Sequence, residues 1–160
     1  MGKRIVFVDE AIFSRSTCQL RTYNRKKEHH TINKTKLEGK PTYIVAAISV
    51  EYGVEAVNVY DKSINGKMFG QVLRNVKLLG DNFVLFGDCV KYHTSNYMKN
   101  LYALTNSSFI ESIPYTPILN PIERYFCALK AVFKRRKLQK IIDNKRINVP
   151  YLINEARLQV

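Results

Sequence analysis

The sequence predicts an α/β domain, a mixed β-sheet flanked by helices, and three observations carry that expectation. Short apolar runs rich in Val, Ile and Phe stand at residues 4–9, 42–50, 54–60 and 83–87, with the length and composition of strands. Apolar residues return at steps of three and four over 65–79 and again from Pro121 onward, which marks one face of an amphipathic helix. Strands come first and then alternate with helices, the order of a sheet covered by helices.

Taken along the chain, Ile5-Val6-Phe7-Val8 forms a short buried strand that Asp9 closes. The polar, basic stretch from Ser14 to Lys40 reads as an irregular excursion or a weak hairpin. Thr42 to Val50 and Val54 to Tyr60 are two strands joined by Glu51-Tyr52-Gly53, a connection suited to a tight hairpin. Ser63 or Asn65 caps a helix running to Leu79, with Met68, Val72, Val76 and Leu79 on one face. Gly80-Asp81-Asn82 ends it. Phe83-Val84-Leu85-Phe86-Gly87 is the next strand, closed by Asp88. A helix over Ser95–Leu104, a short strand over Phe109–Ile113 and the loop Pro114-Tyr115-Thr116-Pro117 follow.

Pro121 starts the best-marked helix, whose stripe is Ile122, Phe126, Leu129 and Phe133 and whose end is Lys134-Arg135-Arg136-Lys137. The expected division is a domain over 1–140 and a tail over 141–160 with a short helix after Pro150.

A chain of 160 residues with 46% apolar and 24% charged residues can bury one ordinary core. No run of about eighteen apolar residues offers a membrane span, and the early strand leaves no room for a secretory signal. Cys18, Cys89 and Cys127 form no zinc-type spacing and read as free thiols in a reducing compartment. The net charge of +13 favours a polyanionic partner. Charge alone does not choose between nucleic acid and an anionic membrane surface.

Asp9 and Asp88 each follow a strand, and sites in open α/β sheets form at the carboxyl ends of strands. If the two strands are neighbours, their carboxylates converge, and Glu123 at the start of a helix completes an oxygen-rich pocket. Such oxygens suit magnesium. Two ions held there would activate an attacking oxygen and stabilise a departing one in phosphodiester chemistry. Each acid also has a plainer explanation. Asp commonly ends a strand at a turn, and Asn120, Pro121 and Glu123 make a capping box.

Three blocks of text around these acids, in order, carry a resemblance. Val8-Asp9-Glu10, then Phe86-Gly87-Asp88-Cys89-Val90-Lys91-Tyr92-His93, then Ile113-Pro114-Tyr115-Thr116-Pro117-Ile118-Leu119-Asn120-Pro121-Ile122-Glu123 resemble the signature blocks of the mariner-like DDE transposases. The last block is the most specific, and the interval between Asp88 and Glu123 (residues 89–122) also matches. The likeness covers Ile5 to Lys137. It implies a ribonuclease-H-like fold, with Asp9, Asp88 and Glu123 as catalytic, metal-binding acids. It further implies two Mg2+ ions, for which Mn2+ substitutes, and metal-dependent DNA strand cleavage and strand transfer.

Two departures accompany the match: Cys89 stands where the family usually has Asn, and no Trp is present. Eight residues precede Asp9, so the family's end-recognition module is expected to be missing from this chain. The alternative expectation is an inactive or domesticated DNA-binding remnant.

Double-stranded DNA, both transposon ends and target, is the implied partner, and a homodimer is compatible with it. Arg25, Lys26 and Lys27 form one basic cluster, and Lys130, Lys134, Arg135 and Lys137 another; such residues supply salt-dependent phosphate contacts, or simply a solvated face. Glu123, Lys130, Lys134 and Lys137 fall on one helical stripe. His93 matches a family histidine and is expected to reach DNA near the scissile phosphate, or else to be a surface residue at a helix entry. Lys134–Lys137 is a weak nuclear import signal. The expected location is the nucleus in a eukaryotic host and the cytoplasm otherwise, not the membrane and not outside the cell.

Overall fold

In the computed structural model, residues 2–14, 40–78, 82–113 and 120–160 are described. The excursion after Ser14, Arg25, Lys26, Lys27, the Gly80-Asp81 helix end and the Pro114–Pro117 loop lie outside them. The strands are β1 (Arg4–Phe13), β2 (Thr42–Ser49), β3 (Gly53–Tyr60), β4 (Phe83–Gly87) and β5 (Ser108–Glu111). The helices are α1 (Gly66–Leu78), α2 (Asn96–Leu104), α3 (Ile122–Ile142) and α4 (Val149–Arg157). The strands make one mixed sheet in the order β3-β2-β1-β4-β5. β1 is antiparallel to β2 and parallel to β4.

Side-chain alternation along the central strands divides the core in two. Val6 and Val8 of β1, with Val45 and Ala47 of β2, face α1 and α2 and meet Phe69, Val72, Met98 and Leu101. Ala11 and Phe13, with Ile44 and Ala46, face α3 and α4 and meet Phe126, Leu129, Phe133, Leu152 and Ile153. Local side-chain and backbone chemistry sets the turn and the helix starts. Gly53 takes the positive φ of +66° that the hairpin needs. Asn65 accepts the amides of Lys67 and Met68 at 3.0 and 3.1 Å to start α1. Ser95 caps α2, and Asn148 caps α4 with Pro150 in its first turn.

Three features differ from the sequence expectation, the first two of them through tertiary pairing. β1 does not end at Asp9 but continues to Phe13, because β2 stays in register beside it from Val6↔Ser49 to Phe13↔Thr42. α3 does not stop at Lys134–Lys137 but runs on to Ile142. There α4 packs against it, and Arg136 pairs with Glu155 at 3.1 Å. The start of α3 is not a capping box: the Ile122 amide donates to Asn120 Oδ1 at 3.4 Å. The Glu123 amide donates to the Asn120 carbonyl at 3.2 Å, but among the described residues the Asn120 amide does not donate to the Glu123 carboxylate. No described helix is long and apolar enough to cross a membrane.

Gly87 sets the closeness of β1 and β4. A Cβ built there would stand 2.9 Å from the Val8 carbonyl oxygen and 3.3 Å from Val8 Cγ1, and backbone cannot yield as a flexible side chain can. Gly87→Ala is therefore expected to push β4 away from β1 and to cost about 1–3 kcal/mol. A thermal unfolding curve unchanged by the substitution would show that the strands absorb it.

Candidate active site

The site lies where β4 leaves β1. Their parallel register ends at Phe7↔Phe86, β4 itself stops at Gly87, and β1 continues past Asp9 with β2 alone beside it. Asp9, inside β1, and Asp88, just after β4, thus stand at equivalent positions on neighbouring parallel strands, two residues beyond that last pair. Alternation sends Asp9 to the α3 side of the sheet and Glu10 to the α1–α2 side.

The Glu10 amide donates to Asp9 Oδ1 at 2.7 Å, which fixes that carboxylate against its own strand. Burial pushes the Asp9 carboxyl up to about 7 against that hydrogen bond, and the negative charges of Glu10, Asp88 and Glu123 add to the rise. Asp9 therefore lies within electrostatic reach of both other expected acids. Asp88 is also raised, by burial first and by Glu10 second, with His93 opposing. Its side chain is half exposed, yet Oδ1 is buried with no hydrogen-bond partner. Glu123 is exposed in the first turn of α3.

These features fit a divalent cation. Asp9 is costly to ionise without a positive neighbour, Asp88 offers a buried oxygen that accepts no hydrogen bond and stands 3.6 Å from His93 Nδ1, and all three donors are hard oxygens.

On the other side of β1 is a network that sequence reasoning missed. Glu10 Oε1 accepts hydrogen bonds from the Tyr92 hydroxyl and from His93 Nε2, the latter at 3.2 Å. His93 Nδ1 lies 2.9 Å from the Asp88 backbone oxygen. Both ring nitrogens face acceptors, so the imidazolium form satisfies both. Burial opposes that charge, but the Glu10 hydrogen bond and the Asp88 carbonyl outweigh it, and the His93 pKa is raised. Burial, then the Glu10 contact, likewise holds the Tyr92 hydroxyl well above its ordinary value. Glu10, Asp88 and His93 bring ligand atoms within 4.8 Å of one another. The adjacent pairs Asp9-Glu10 and Tyr92-His93 were the only sequence signal.

Two expected DNA contacts are corrected here. His93 is not a surface residue: its exposure is 0%, and its ring centre is 4.2 Å from that of Phe69 and 5.0 Å from that of Phe109. Lys137 is 3% exposed and lies on the core stripe with Leu129 and Phe133. It faces inward because it follows them at steps of four, so the basic stripe ends before it. Lys134 and Arg135 are exposed and Lys130 is half-buried. Cys89 and Cys127 are exposed free thiols. A hydrogen bond to Glu111 raises the pKa of the Cys89 thiol.

The family model described as DDE superfamily endonuclease matches residues 4–145. This chain belongs to the DDE superfamily of endonucleases. Its fold is the ribonuclease-H-like fold of transposase and integrase catalytic cores. A chain of the simian T-cell lymphotropic virus intasome aligns with 98% of this one at a TM-score of 0.67 and 13% identity, 48% of that chain being covered. The Mos1 transposase paired-end complex with left transposon end aligns at 0.61 and 16% identity, over 98% of this chain and 53% of that one.

The catalytic core domain of HTLV-2 integrase, solved with magnesium, aligns at 0.62 and 13% identity, over 98% of this chain and 84% of that one. The DDE chain described here thus spans about half the length of the intasome and Mos1 chains it matches. No curated protein sequence matches it.

Proposed function

We propose that this DDE endonuclease is the catalytic unit of a DNA transposase, carried by residues 1–140, and that Asp9, Asp88 and Glu123 are its metal-holding acids. The observation that carries the reading is Asp9: a half-buried carboxyl, fixed on a strand, whose pKa is raised by burial and by the charges of the other two acids. Bound by these acids, two Mg2+ ions, or Mn2+ in their place, would activate the attacking oxygen and stabilise the departing one in phosphodiester cleavage and strand transfer.

The protein's own part is placement. The Glu10 amide holds Asp9, the turn after Gly87 presents Asp88, and the first turn of α3 presents Glu123. Lys130, Lys134 and Arg135 continue along α3 from Glu123 and would hold the DNA backbone through salt-dependent phosphate contacts. Arg25, Lys26 and Lys27 are proposed as further phosphate contacts. His93 and Lys137 are left out because they are buried. Double-stranded DNA is the proposed substrate, as the transposon end bound by the Mos1 transposase suggests, and a homodimer is compatible with the dimeric form of the HTLV-2 integrase core.

Metal dependence provides the test. The chain should nick supercoiled duplex DNA in Mg2+ or Mn2+, and chelation with EDTA should abolish the nicking reversibly. DNA binding without metal-dependent nicking, even after fusion to an end-recognising module, would identify a non-catalytic remnant instead.

A further inference from the structure

We propose that Glu10 and His93, with Tyr92, form a positioning bridge that sets Asp9 and Asp88 relative to each other. This inference rests on the reading of Asp9 and Asp88 as cation ligands. The backbone ladder between β1 and β4 ends before either acid, so it does not itself fix their separation. The bridge spans that gap from the opposite face of the sheet. Glu10 is covalently next to Asp9, and its carboxylate accepts from His93 Nε2 and the Tyr92 hydroxyl. The other nitrogen of His93 reaches the carbonyl of Asp88 itself.

The bridge is also rigid. His93 is enclosed by the rings of Phe69, Tyr92 and Phe109, and its backbone is anchored twice. The His93 amide donates to the Val90 carbonyl at 2.9 Å, and the Tyr102 hydroxyl donates to the His93 carbonyl at 3.1 Å. A rotation of the imidazole would break both ring contacts and meet an aromatic wall.

Glu10, Asp88 and His93 are close enough to hold an ion themselves. That arrangement would take a ring nitrogen of His93 away from its present acceptor, Glu10 for Nε2 or the Asp88 carbonyl for Nδ1, and bring a cation onto a fully enclosed ring. The bridge leaves every contact intact. Groups that orient metal ligands in this way typically change metal affinity 10–100-fold when removed.

The test is Mn2+ binding to the full chain, followed by calorimetry and by electron paramagnetic resonance, without reference to activity. Glu10→Ala is expected to weaken binding about 10–100-fold, and Glu10→Gln, which retains an acceptor oxygen, to recover most of it. Val72→Ala in the α1 core lowers stability without touching the bridge and should leave Mn2+ affinity unchanged. Should Glu10→Ala not fold, His93→Asn keeps a donor for the Asp88 carbonyl while giving up the reach to Glu10, and it makes the same comparison.

Equal Mn2+ affinity in wild type and in the bridge variants overturns the bridge while leaving the acids as ligands. A nitrogen coupling from His93 on bound Mn2+ in the wild type overturns it in favour of direct ligation. Failure of the wild type to bind Mn2+ overturns the reading of Asp9 and Asp88 as well.

Discussion

Asp9→Asn is expected to reduce metal-dependent DNA nicking by at least about 10³-fold and, at the same time, to make the metal-free protein more stable. Loss of activity follows from removing a charged oxygen that a hard cation needs, within the usual range for groups that stabilise developing charge. The gain in stability follows from the raised carboxyl, which stands at about 7 rather than 3.8. Ionising it in the folded protein above pH 7 costs up to about 4 kcal/mol at 1.36 kcal/mol per pH unit, and solvent reaching the carboxylate lowers this to about 2 kcal/mol.

Asparagine carries no such cost, so the melting temperature should rise by about 5 °C at pH 8 for a domain of this size. The pH dependence has a definite sign. Between 3.8 and 7 the folded state holds a proton on Asp9 that the unfolded state has released, so this stability is present at low pH and is lost as pH rises through about 7. Asp88 and His93, also raised, act in the same direction. Thermal unfolding of the metal-free wild type from pH 5 to 8 should show the decline, and Asp9→Asn should flatten it. A variant that melts lower than wild type at pH 8 would remove the electrostatic account of the site.

His93→Ala is expected to have the largest effect on folding, about 3–5 kcal/mol. Two costs combine. The substitution leaves a void among Phe69, Tyr92 and Phe109, and it strips the part-buried Glu10 carboxylate of its cationic neighbour. The Asp88 carbonyl loses its ring donor as well. The denaturation midpoint should fall with little change in the slope, the signature of lost stability without altered compactness. A cost below about 1 kcal/mol would mean that His93 sits as a neutral, replaceable packing residue.

The local content of the fold was readable because local chemistry decides it. Asn65, Ser95 and Gly53 act as cap or turn residues through contacts a few residues away, whereas the last helix starts at Val149 with Asn148 as its cap rather than after Pro150. Alternation and helical periodicity identified the strands and most of the α3 stripe. The three acids and their order were legible in the motif text, and family membership agrees with it.

What was misread depends on partners far along the chain. Asp9 looked like the end of a strand, yet β2 carries β1 four residues further, to Phe13. Lys137 belonged to a basic run by type and to the core by position. His93 looked like a surface residue because nothing in its neighbours announces that Phe69 and Phe109 enclose it.

The sequence by itself determined the strands and helices, a polyanion-seeking charge and which carboxylates to watch, since propensity, periodicity and motif order are properties of neighbouring residues. Only the tertiary structure decided that β4 departs from β1 beside Asp9, that burial lifts the Asp9 carboxyl to about 7, and that Glu10 and His93 join the two acids from behind. Burial and charge–charge distance exist only after segments 80 residues apart have been packed together, as the separation of 83 between Glu10 and His93 illustrates.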